Sequence, residues 1–255
     1  MKKPNEIAES YISIGKAKTE QNFWKTFVLG MLAGAFIAFG GVGSTFGNVY
    51  LNKVAGAAIF PGGLAMVLIA GSELFTGNCL LIIPLMKKEI SFLKMLRCLA
   101  IVYLGNFVGA AIIATLASLG GVFSADAVRA AVVSTAEAKA SMPFYVAFIK
   151  GVLCNVLVCI AVWMSFAADT VGGKIAGLFF PIMIFVVAGF EHSVANMYYL
   201  PAGLITSLFY GTETTLTVGG AIINNLIPVT LGNVVGGMLV GAAYCGIYLT
   251  KKKQD

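Results

Sequence analysis

Six long runs of apolar residues dominate this chain, and each is near or above the ~20 residues that a helix needs to cross a bilayer. With 59% hydrophobic residues, 11% charged residues and a mean hydropathy of +0.91, the sequence is typical of a polytopic membrane protein rather than a soluble domain. We therefore predict an all-α membrane protein with six transmembrane helices. Their expected positions are about 24–45, 54–86, 95–119, 144–167, 175–210 and 219–249.

The second and fifth runs are too long for one straight crossing, and each holds a polar interruption that contains glycine. The second run contains Ala70–Asn78, and the fifth contains Ala188–Met197. Irregular backbone at membrane depth is tolerated only where protein or a cavity surrounds it. We therefore expect transmembrane helices 2 and 5 to be broken into half-helices, with the breaks lining a cavity.

The two interruptions belong to an internal repeat. Ala70–Asn78 and Ala188–Asn196 share the pattern Ala-Gly-x-Glu-x-x-x-x-Asn at a separation of 118 residues. Leu104–Gly109 and Leu231–Gly236 share the pattern Leu-Gly-Asn-x-Val-Gly at a separation of 127 residues. Matches in the same order at similar separations indicate that the chain consists of two related halves.

These halves are 23–119 and 144–250, within a single domain that spans 1–255. Because each half has three spans, an odd number, the second half enters the membrane in the opposite direction. The sequence therefore predicts an inverted repeat whose two breaks face each other near the middle of the bilayer.

The residues before the first span, 1–22, are predicted to form an amphipathic helix in the membrane interface. No apolar segment of a cleaved signal peptide follows the first three residues, so we expect none. With both termini on one side, thirteen of the 17 basic residues lie on that side; the other four are Lys53, Arg129, Lys139 and Lys150. This imbalance predicts cytoplasmic termini, and it explains the net charge of +6 without a nucleic-acid partner.

His192, the only histidine, lies beside Glu191 inside the second interruption. One interpretation is a neutral histidine that is hydrogen-bonded within the helix bundle. The alternative, which we favour, is a polar or titrating group on a permeation path, because intramembrane ionisable residues are usually functional. Without a second histidine or a cysteine pair at metal-binding spacing, we predict neither a metal site nor a cofactor.

The two glutamates of the repeat, Glu73 and Glu191, need partners if they are buried as anions. From the expected direction of each half-helix we predict the ion pairs Glu73–Lys150 and Glu191–Lys16. The alternative is that Lys16 only follows the positive-inside pattern and that Lys150 extends to the membrane surface.

Large apolar side chains near the breaks are candidates for narrow points along a path. These are Phe60, Leu64, Leu74, Phe75 and Phe185. Each of them alone is also compatible with ordinary packing in a helix bundle.

Three segments of the chain resemble the formate/nitrite transporter family. They are Ala70–Asn78, Gly151–Ala161 and Glu191–Met197, and the similarity extends from Lys16 to the final span. The chain closely resembles the hydrosulfide-channel branch of that family. The resemblance implies an aquaporin-like protomer with six helices, a homo-pentamer, and a separate anion pathway through each protomer in the plasma (inner) membrane of a prokaryote.

The resemblance also implies roles for individual residues. His192 is expected to be the central pore histidine, with Thr76 and Leu74 on the facing loop. Asn155 and Asn233 match positions of the family pattern, and we place Asn233 near the histidine. Further implied are a constriction of Phe60, Leu64, Leu74 and Phe185, and anion attraction by Lys16 and Lys150.

Taken with the resemblance, the sequence predicts a pore for small monovalent anions of weak acids, namely formate, nitrite or hydrosulfide. A positive field at each entrance concentrates the anion, and a proton gained near His192 lets the neutral acid cross the apolar constriction. A proton-coupled secondary carrier of the same anions is an alternative. A channel for neutral solutes is a further alternative, but the sequence lacks the twin Asn-Pro-Ala motifs of aquaporins. An intramembrane enzyme is disfavoured because the histidine has no nucleophile or metal partner at catalytic spacing.

Overall fold

The computed structural model describes residues 1–249, which form helices joined by short connections and contain no β-strand within that range. Residues 250–255 are not described, so Lys251, Lys252 and Lys253 of the charge count and the last residue of the predicted half 144–250 lie outside the described residues. The α-helices, in order, are α1 (Pro4–Glu20), α2 (Phe23–Tyr50), α3 (Lys53–Ile59), α4 (Pro61–Ile69), α5 (Phe75–Asn78), α6 (Ile82–Met86), α7 (Phe92–Leu119), α8 (Asp126–Ala140), α9 (Phe144–Phe166), α10 (Val171–Ala188), α11 (Ser193–Tyr210), α12 (Val218–Gly220) and α13 (Ile227–Tyr248).

Two segments of other helical geometry complete the backbone. A 3₁₀ turn, Cys79–Leu81, joins α5 to α6. A π-helical segment, Ala221–Leu226, joins α12 to α13, so that Val218–Tyr248 is one continuous helix.

Within the described residues, five helices are long and apolar enough to cross a membrane: Phe23–Tyr50, Phe92–Leu119, Phe144–Phe166, Val171–Ala188 and Val218–Tyr248. Two shorter apolar segments, Lys53–Ile69 and Phe75–Met86, together cover the second predicted span. The helix of the first predicted span, α2, extends to Tyr50, five residues beyond the predicted end at residue 45, and Gly47 in this extension lies close to Gly56 of α3.

Both predicted interruptions are breaks in the helical backbone. α4 ends at Ile69 and α5 begins at Phe75, while α10 ends at Ala188 and α11 begins at Ser193. Gly71 and Gly189 adopt φ angles of +79° and +71°, a left-handed conformation that side chains other than glycine rarely adopt. Each glycine thus turns the chain out of one helix, and the next helix begins a few residues later.

Both ends of the described chain lie at one end of the helix bundle, which we call the terminal end. The carbonyl of Leu249 accepts a hydrogen bond from Lys87, and the amino terminus lies 3.2 Å from the carboxylate of Asp169. Helix α1 packs under the bundle here, and the buried Tyr11 hydroxyl donates to the carbonyl of Gly77 at 3.2 Å. Helix α8 covers the opposite end, which we call the α8 end.

Candidate functional site

The two breaks meet at Thr76 and His192, whose side chains are buried in the middle of the bundle. Thr76 Oγ1 lies 2.8 Å from His192 Nε2, a hydrogen bond between residues 116 apart in sequence. The two residues are 0% and 3% exposed. The structure thus brings together two of the residues predicted to form the centre of the site.

The backbone fixes which nitrogen of His192 carries the proton. His192 is the N-cap of α11, and its Nδ1 accepts a hydrogen bond of 3.1 Å from the N–H of Ala195. A neutral imidazole has one donor and one acceptor, so we assign its proton to Nε2, which donates to Thr76 Oγ1. The hydroxyl hydrogen of Thr76 is then available for another acceptor.

Asn233 holds the backbone on both sides of His192, rather than contacting its ring. Its side-chain oxygen accepts from the N–H of Ser193 at 2.8 Å, and its nitrogen donates to the carbonyls of Glu191 and Gly151 at 2.9 and 2.8 Å. Asn233 therefore fixes the break in which His192 lies, close to the position expected from the sequence.

Asn106 does the same for the other break. Its oxygen accepts from the N–H of Phe75 at 2.9 Å, and its nitrogen donates to the carbonyls of Glu73 and Gly30 at 2.9 and 2.7 Å. We did not predict this role, although the repeated Leu-Gly-Asn pattern is the signal that pairs Asn106 with Asn233.

Asn155, on α9, binds the backbone at Thr76. Its side-chain nitrogen donates to the carbonyl of Thr76 at 3.2 Å and to that of Asn233 at 2.6 Å. The thiol of Cys159, one turn further along α9, lies 3.5 Å from the same Thr76 carbonyl. The positions of Thr76 and His192 are thus set by side chains from α9 and α13.

Aromatic rings narrow the space beside His192. The ring of Phe185 lies 5.7 Å from that of Phe60, edge to face, and stacks 5.8 Å from the imidazole of His192. Leu64 and Leu74 are also buried, and Leu74 follows Glu73 as His192 follows Glu191. Phe75 is different, because its ring packs edge to face on Tyr103 at 4.9 Å, on the side towards α7.

Glu73 is buried and paired with Lys18. Lys18 Nζ lies 2.6 Å from Glu73 Oε2 and donates to Asn78 Oδ1 at 3.1 Å, while Asn78 donates to Glu73 Oε2 at 2.8 Å. Lysine, glutamate and asparagine therefore form one cluster, which lies towards the terminal end.

Glu191 is buried and paired with Lys139. Lys139 Nζ donates to both carboxylate oxygens, at 2.9 and 3.0 Å, and Asn196 donates to Oε2 at 2.7 Å. The ammonium also lies 5.3 Å from the ring centre of Tyr199, within range of a cation–π interaction. This second cluster faces the α8 end.

The predicted pairs Glu73–Lys150 and Glu191–Lys16 are therefore wrong. Lys16 lies 3.8 Å from the half-exposed Glu89, and the part of Lys150 that meets Glu191 is its backbone carbonyl, 3.3 Å from the Glu191 nitrogen. The prediction assumed that each carboxylate faces the end from which its first half-helix comes. In fact each carboxylate points along the second half-helix, because the asparagine five residues later binds it.

A cavity of about 170 Å³ opens from the α8 end towards His192. Its wall combines the charged cluster with aromatic rings: Lys139, Glu191, His192, Tyr199, Phe60 and Phe185 are among the lining residues. The cavity thus brings an ammonium group, aromatic rings and the imidazole together in one wall. Within residues 1–249, no group of three or more His, Cys, Asp or Glu side chains is arranged to hold a metal ion.

Comparison with known sequences identifies relatives over nearly the whole chain. A sequence model described as "Formate/nitrite transporter" matches residues 5–246. A "Probable formate transporter" of Methanothermobacter thermautotrophicus is 39% identical and covers 97% of both chains. A "Formate channel FocA" of Haemophilus influenzae is 37% identical, covering 97% of this chain and 94% of its own.

Solved structures match the fold as well. A chain described as an "FNT family ion channel" is 31% identical, with a TM-score of 0.86 over 96% of this chain and 99% of its own. A "Pentameric formate channel with formate bound" is 32% identical, with a TM-score of 0.78 over 89% of this chain and 98% of its own.

Proposed function

Because the chain belongs to the formate/nitrite transporter family, we propose that it is a channel for small monovalent anions of weak acids, with formate as the first substrate to test. The observation that carries this proposal is the Thr76–His192 contact at the end of the cavity that Lys139 and Phe185 line. Relatives named as formate channels and a solved formate channel support formate. Nitrite and hydrosulfide are chemically similar alternatives that flux measurements must separate.

We further propose that the chain crosses the membrane six times, as two inverted halves, 23–119 and 144–250, of one aquaporin-like domain. The support is a set of matched contacts. Asn106 and Asn233 make the same three types of bond, and the two Lys–Glu–Asn clusters lie at opposite ends of the bundle. In this arrangement the broken helices 2 and 5 meet at Thr76 and His192.

We assign anion attraction to Lys18 and Lys139, because these are the lysines that pair with Glu73 and Glu191; the family resemblance had implied Lys16 and Lys150 for this role. One partly buried ammonium near each end of the path provides a positive field that concentrates anions. The Lys18 ammonium is held by Glu73 and Asn78, and the Lys139 ammonium is held by both carboxylate oxygens of Glu191, so each field has a defined position.

The constriction then decides the charge state of the solute. A bare anion between Phe60 and Phe185 would lose its hydration, which is costly in an apolar environment. Desolvation between the rings raises the proton affinity of the anion, so we propose that the anion takes up a proton from water as it leaves the ammonium group and that the neutral acid crosses the constriction.

His192 acts in this scheme as a hydrogen-bond donor rather than as an acid. Its Nδ1 is occupied by the N–H of Ala195, and releasing the Nε2 proton would require an imidazolate. Instead, His192 orients the hydroxyl of Thr76, whose hydrogen binds the solute. We propose that Leu64 and Leu74 exclude water on the path beyond this point.

We propose a homo-pentamer in the plasma (inner) membrane of a prokaryote, with cytoplasmic termini and a pathway in every protomer. The pentameric solved relative supports the number, and the excess of basic residues at the terminal end supports the orientation.

The test is flux in proteoliposomes, with formate, nitrite, hydrosulfide and chloride compared at several pH values. We expect saturable or channel-like flux of the weak-acid anions that increases as the pH falls, and little chloride flux because chloride does not become a neutral acid in this range. Because a channel that passes the neutral acid also moves one proton with each anion, the two mechanisms are separated by counterflow: uptake of labelled formate that is accelerated by unlabelled formate on the opposite side would favour the secondary carrier instead. Chemical conversion of a solute would favour the intramembrane enzyme, and absence of flux for all four anions would refute the proposal.

A further inference from the structure

Cys98 and Asn225 occupy equivalent places beside the two Lys–Glu–Asn clusters. They are 127 residues apart, the same separation as Asn106 and Asn233. Asn196 donates to Asn225 Oδ1 at 2.6 Å, and Asn225 donates to the carbonyl of Lys139 at 3.1 Å. In the other half Asn78 donates to Cys98 Sγ, and Cys98 donates to the carbonyl of Lys18, at 4.0 and 3.9 Å.

The chemistry at these two places is different. A thiol is a weak donor and a weak acceptor, whereas an amide provides two donors and a strong acceptor. Asn225 uses its second donor for Glu191 Oε2 at 3.2 Å. The carboxylate of Glu191 therefore receives bonds from Lys139, Asn196 and Asn225.

The two lysines differ in their hydrogen bonds in the same way as their neighbours Cys98 and Asn225 do. Lys18 divides its bonds between Glu73 Oε2 and Asn78 Oδ1, whereas Lys139 binds both oxygens of Glu191. In the described part of the chain, Asn196 Oδ1 is consequently buried without a hydrogen-bond partner. Lys139 is thus fixed by two bonds to one carboxylate, and that carboxylate is itself fixed by two amides.

The backbone geometry explains how Asn225 reaches this place. It lies in the π-helical segment Ala221–Leu226, and the preceding residue, Asn224, donates to the carbonyl of Ala140 at 3.0 Å. The last carbonyls of a helix have no partner within it. Two consecutive asparagines therefore bind the end of α8, where Lys139 lies, and π-helical turns are often found at functional sites. Cys98 lies in the regular helix α7.

We propose that Asn225 and Cys98 are a matched pair of positioning residues that make the two entrances unequal. Asn225 holds Lys139 firmly at the α8 end, and Cys98 holds Lys18 loosely at the terminal end. The consequence for transport rests on the proposed function: a preorganised ammonium binds an anion with less loss of freedom. Anions supplied at the α8 end therefore half-saturate flux at a lower concentration than anions supplied at the terminal end.

The first experiment needs no transport. Intact protein in liposomes is treated with a small amine-reactive acetylating reagent, and the labelling rates of Lys139 and Lys18 are followed by peptide mass spectrometry. In N225C we expect Lys139 to react about fivefold faster, because a buried carboxylate that loses a donor recovers one from water and opens the cluster. In C98N we expect Lys18 to react about fivefold more slowly, with Lys139 unchanged.

A graded series at position 98 guards against a variant that fails to fold. Serine has the shape of cysteine and is slightly smaller, but its hydroxyl is a stronger donor, and alanine has no donor. We expect Lys18 labelling to slow in the order C98A, parent, C98S, C98N, while the exposed Lys16 reacts at one rate throughout. A rate of Lys18 labelling that does not follow this order would overturn the proposal, as would unchanged Lys139 labelling in a folded N225C.

The second experiment measures formate uptake into right-side-out and inverted membrane vesicles. In the parent we expect the lower half-saturating concentration at the α8 end, and in the double variant C98N/N225C we expect the preference to reverse. Flux with equal preference in parent and double variant would overturn the side preference alone. Absence of formate flux in the parent would refute the proposed function, while the labelling series would still test the positioning roles.

Discussion

At the scale of single residues, substitutions of His192 distinguish whether transport depends on hydrogen bonding or on titration of the imidazole. Asparagine is a good helix N-cap and donates a hydrogen bond, so in His192→Asn it can accept from Ala195 and still approach Thr76. We expect this variant to keep flux within about tenfold of the parent, since one hydrogen bond is weakened. We also expect the pH dependence to be retained, because the proton comes from water. Flux is measured in proteoliposomes between pH 5 and 8.

His192→Phe is the matched comparison. It keeps the bulk of the ring beside Phe185 but removes the donor to Thr76 and the cap of α11, so flux should fall at least about tenfold. If His192→Asn transports but loses its pH response, the imidazole titrates and the hydrogen-bond mechanism is wrong. Parent-like flux in His192→Phe at every pH would show that the residue only fills space.

The buried carboxylates give a prediction about stability. Glu73→Ala leaves Lys18 without its counterion in the interior, and Glu191→Ala does the same to Lys139; breaking a buried pair costs about 3–5 kcal/mol. We expect both variants to show reduced assembly and a lower unfolding temperature in detergent. Glu89→Ala is the control, since its pair with Lys16 is half-exposed and is expected to contribute less than about 1 kcal/mol. Equal stability of all three variants would contradict the pairing.

At the scale of helices, glycines determine how closely α9 and α13 approach each other. A Cβ atom on Gly236 would collide with the backbone carbonyl of Val152, which a side-chain rotation cannot relieve. We expect Gly236→Ala to destabilise the protein by about 1–3 kcal/mol. In Gly172→Ala the new Cβ meets no atom within 4 Å, so this control should be neutral or slightly stabilising. Thermal unfolding of the two variants in the same detergent is the measurement, and a Gly236→Ala variant as stable as the control would contradict close packing at this point.

Hydrogen bonds also join helix α8 to the connection between α11 and α12. Glu137 accepts hydrogen bonds from the Thr214 hydroxyl at 2.7 Å and the Thr215 N–H at 2.7 Å, and these bonds hold the pKa of Glu137 below its ordinary value of 4.5. A lowered pKa in the folded state means that the ionised carboxylate stabilises the fold above about pH 4.5, and that this contribution is lost as the pH falls through the lowered pKa.

We therefore expect Glu137→Gln to lower the unfolding temperature slightly at pH 7, with the difference from the parent shrinking as the pH falls below about 4.5. The effect is small because Glu137 is exposed to solvent. Melting curves of both proteins at several pH values are the measurement. A difference in unfolding temperature between the variant and the parent that grows on acidification would contradict the prediction.

At the scale of the whole molecule, we expect five copies of the 26.7 kDa chain to assemble. Many large apolar side chains of α2, α7, α10 and α13 are exposed in the single chain, among them Phe39, Leu104, Phe180 and Leu239. Subunit contacts and lipid together are expected to cover these faces. Native mass spectrometry from mild detergent should give five times the chain mass plus bound lipid, and a stable monomer or dimer would contradict the pentamer.

Much of the helical architecture was predicted from the sequence, because apolar length and local backbone chemistry are properties of the chain itself. Gly71 and Gly189 mark both breaks, and the repeat around Glu73 and Glu191 identified the two segments that meet. The single histidine pointed to the centre of the site. The family resemblance rested on the same motifs. The comparisons confirm the family.

The partners of the charged residues were decided only by the tertiary structure. Sequence spacing indicated that Glu73 and Glu191 needed lysines, but the choice of Lys18 and Lys139 depends on the direction of each carboxylate within its break. That direction is set by Asn78 and Asn196, and by the positions at which α1 and α8 pack against the bundle. The roles of Asn106 and Asn225 likewise arise between helices that are distant in sequence. Helices and breaks follow from interactions between neighbouring residues, whereas ion pairs follow from the three-dimensional packing of the helices that carry them.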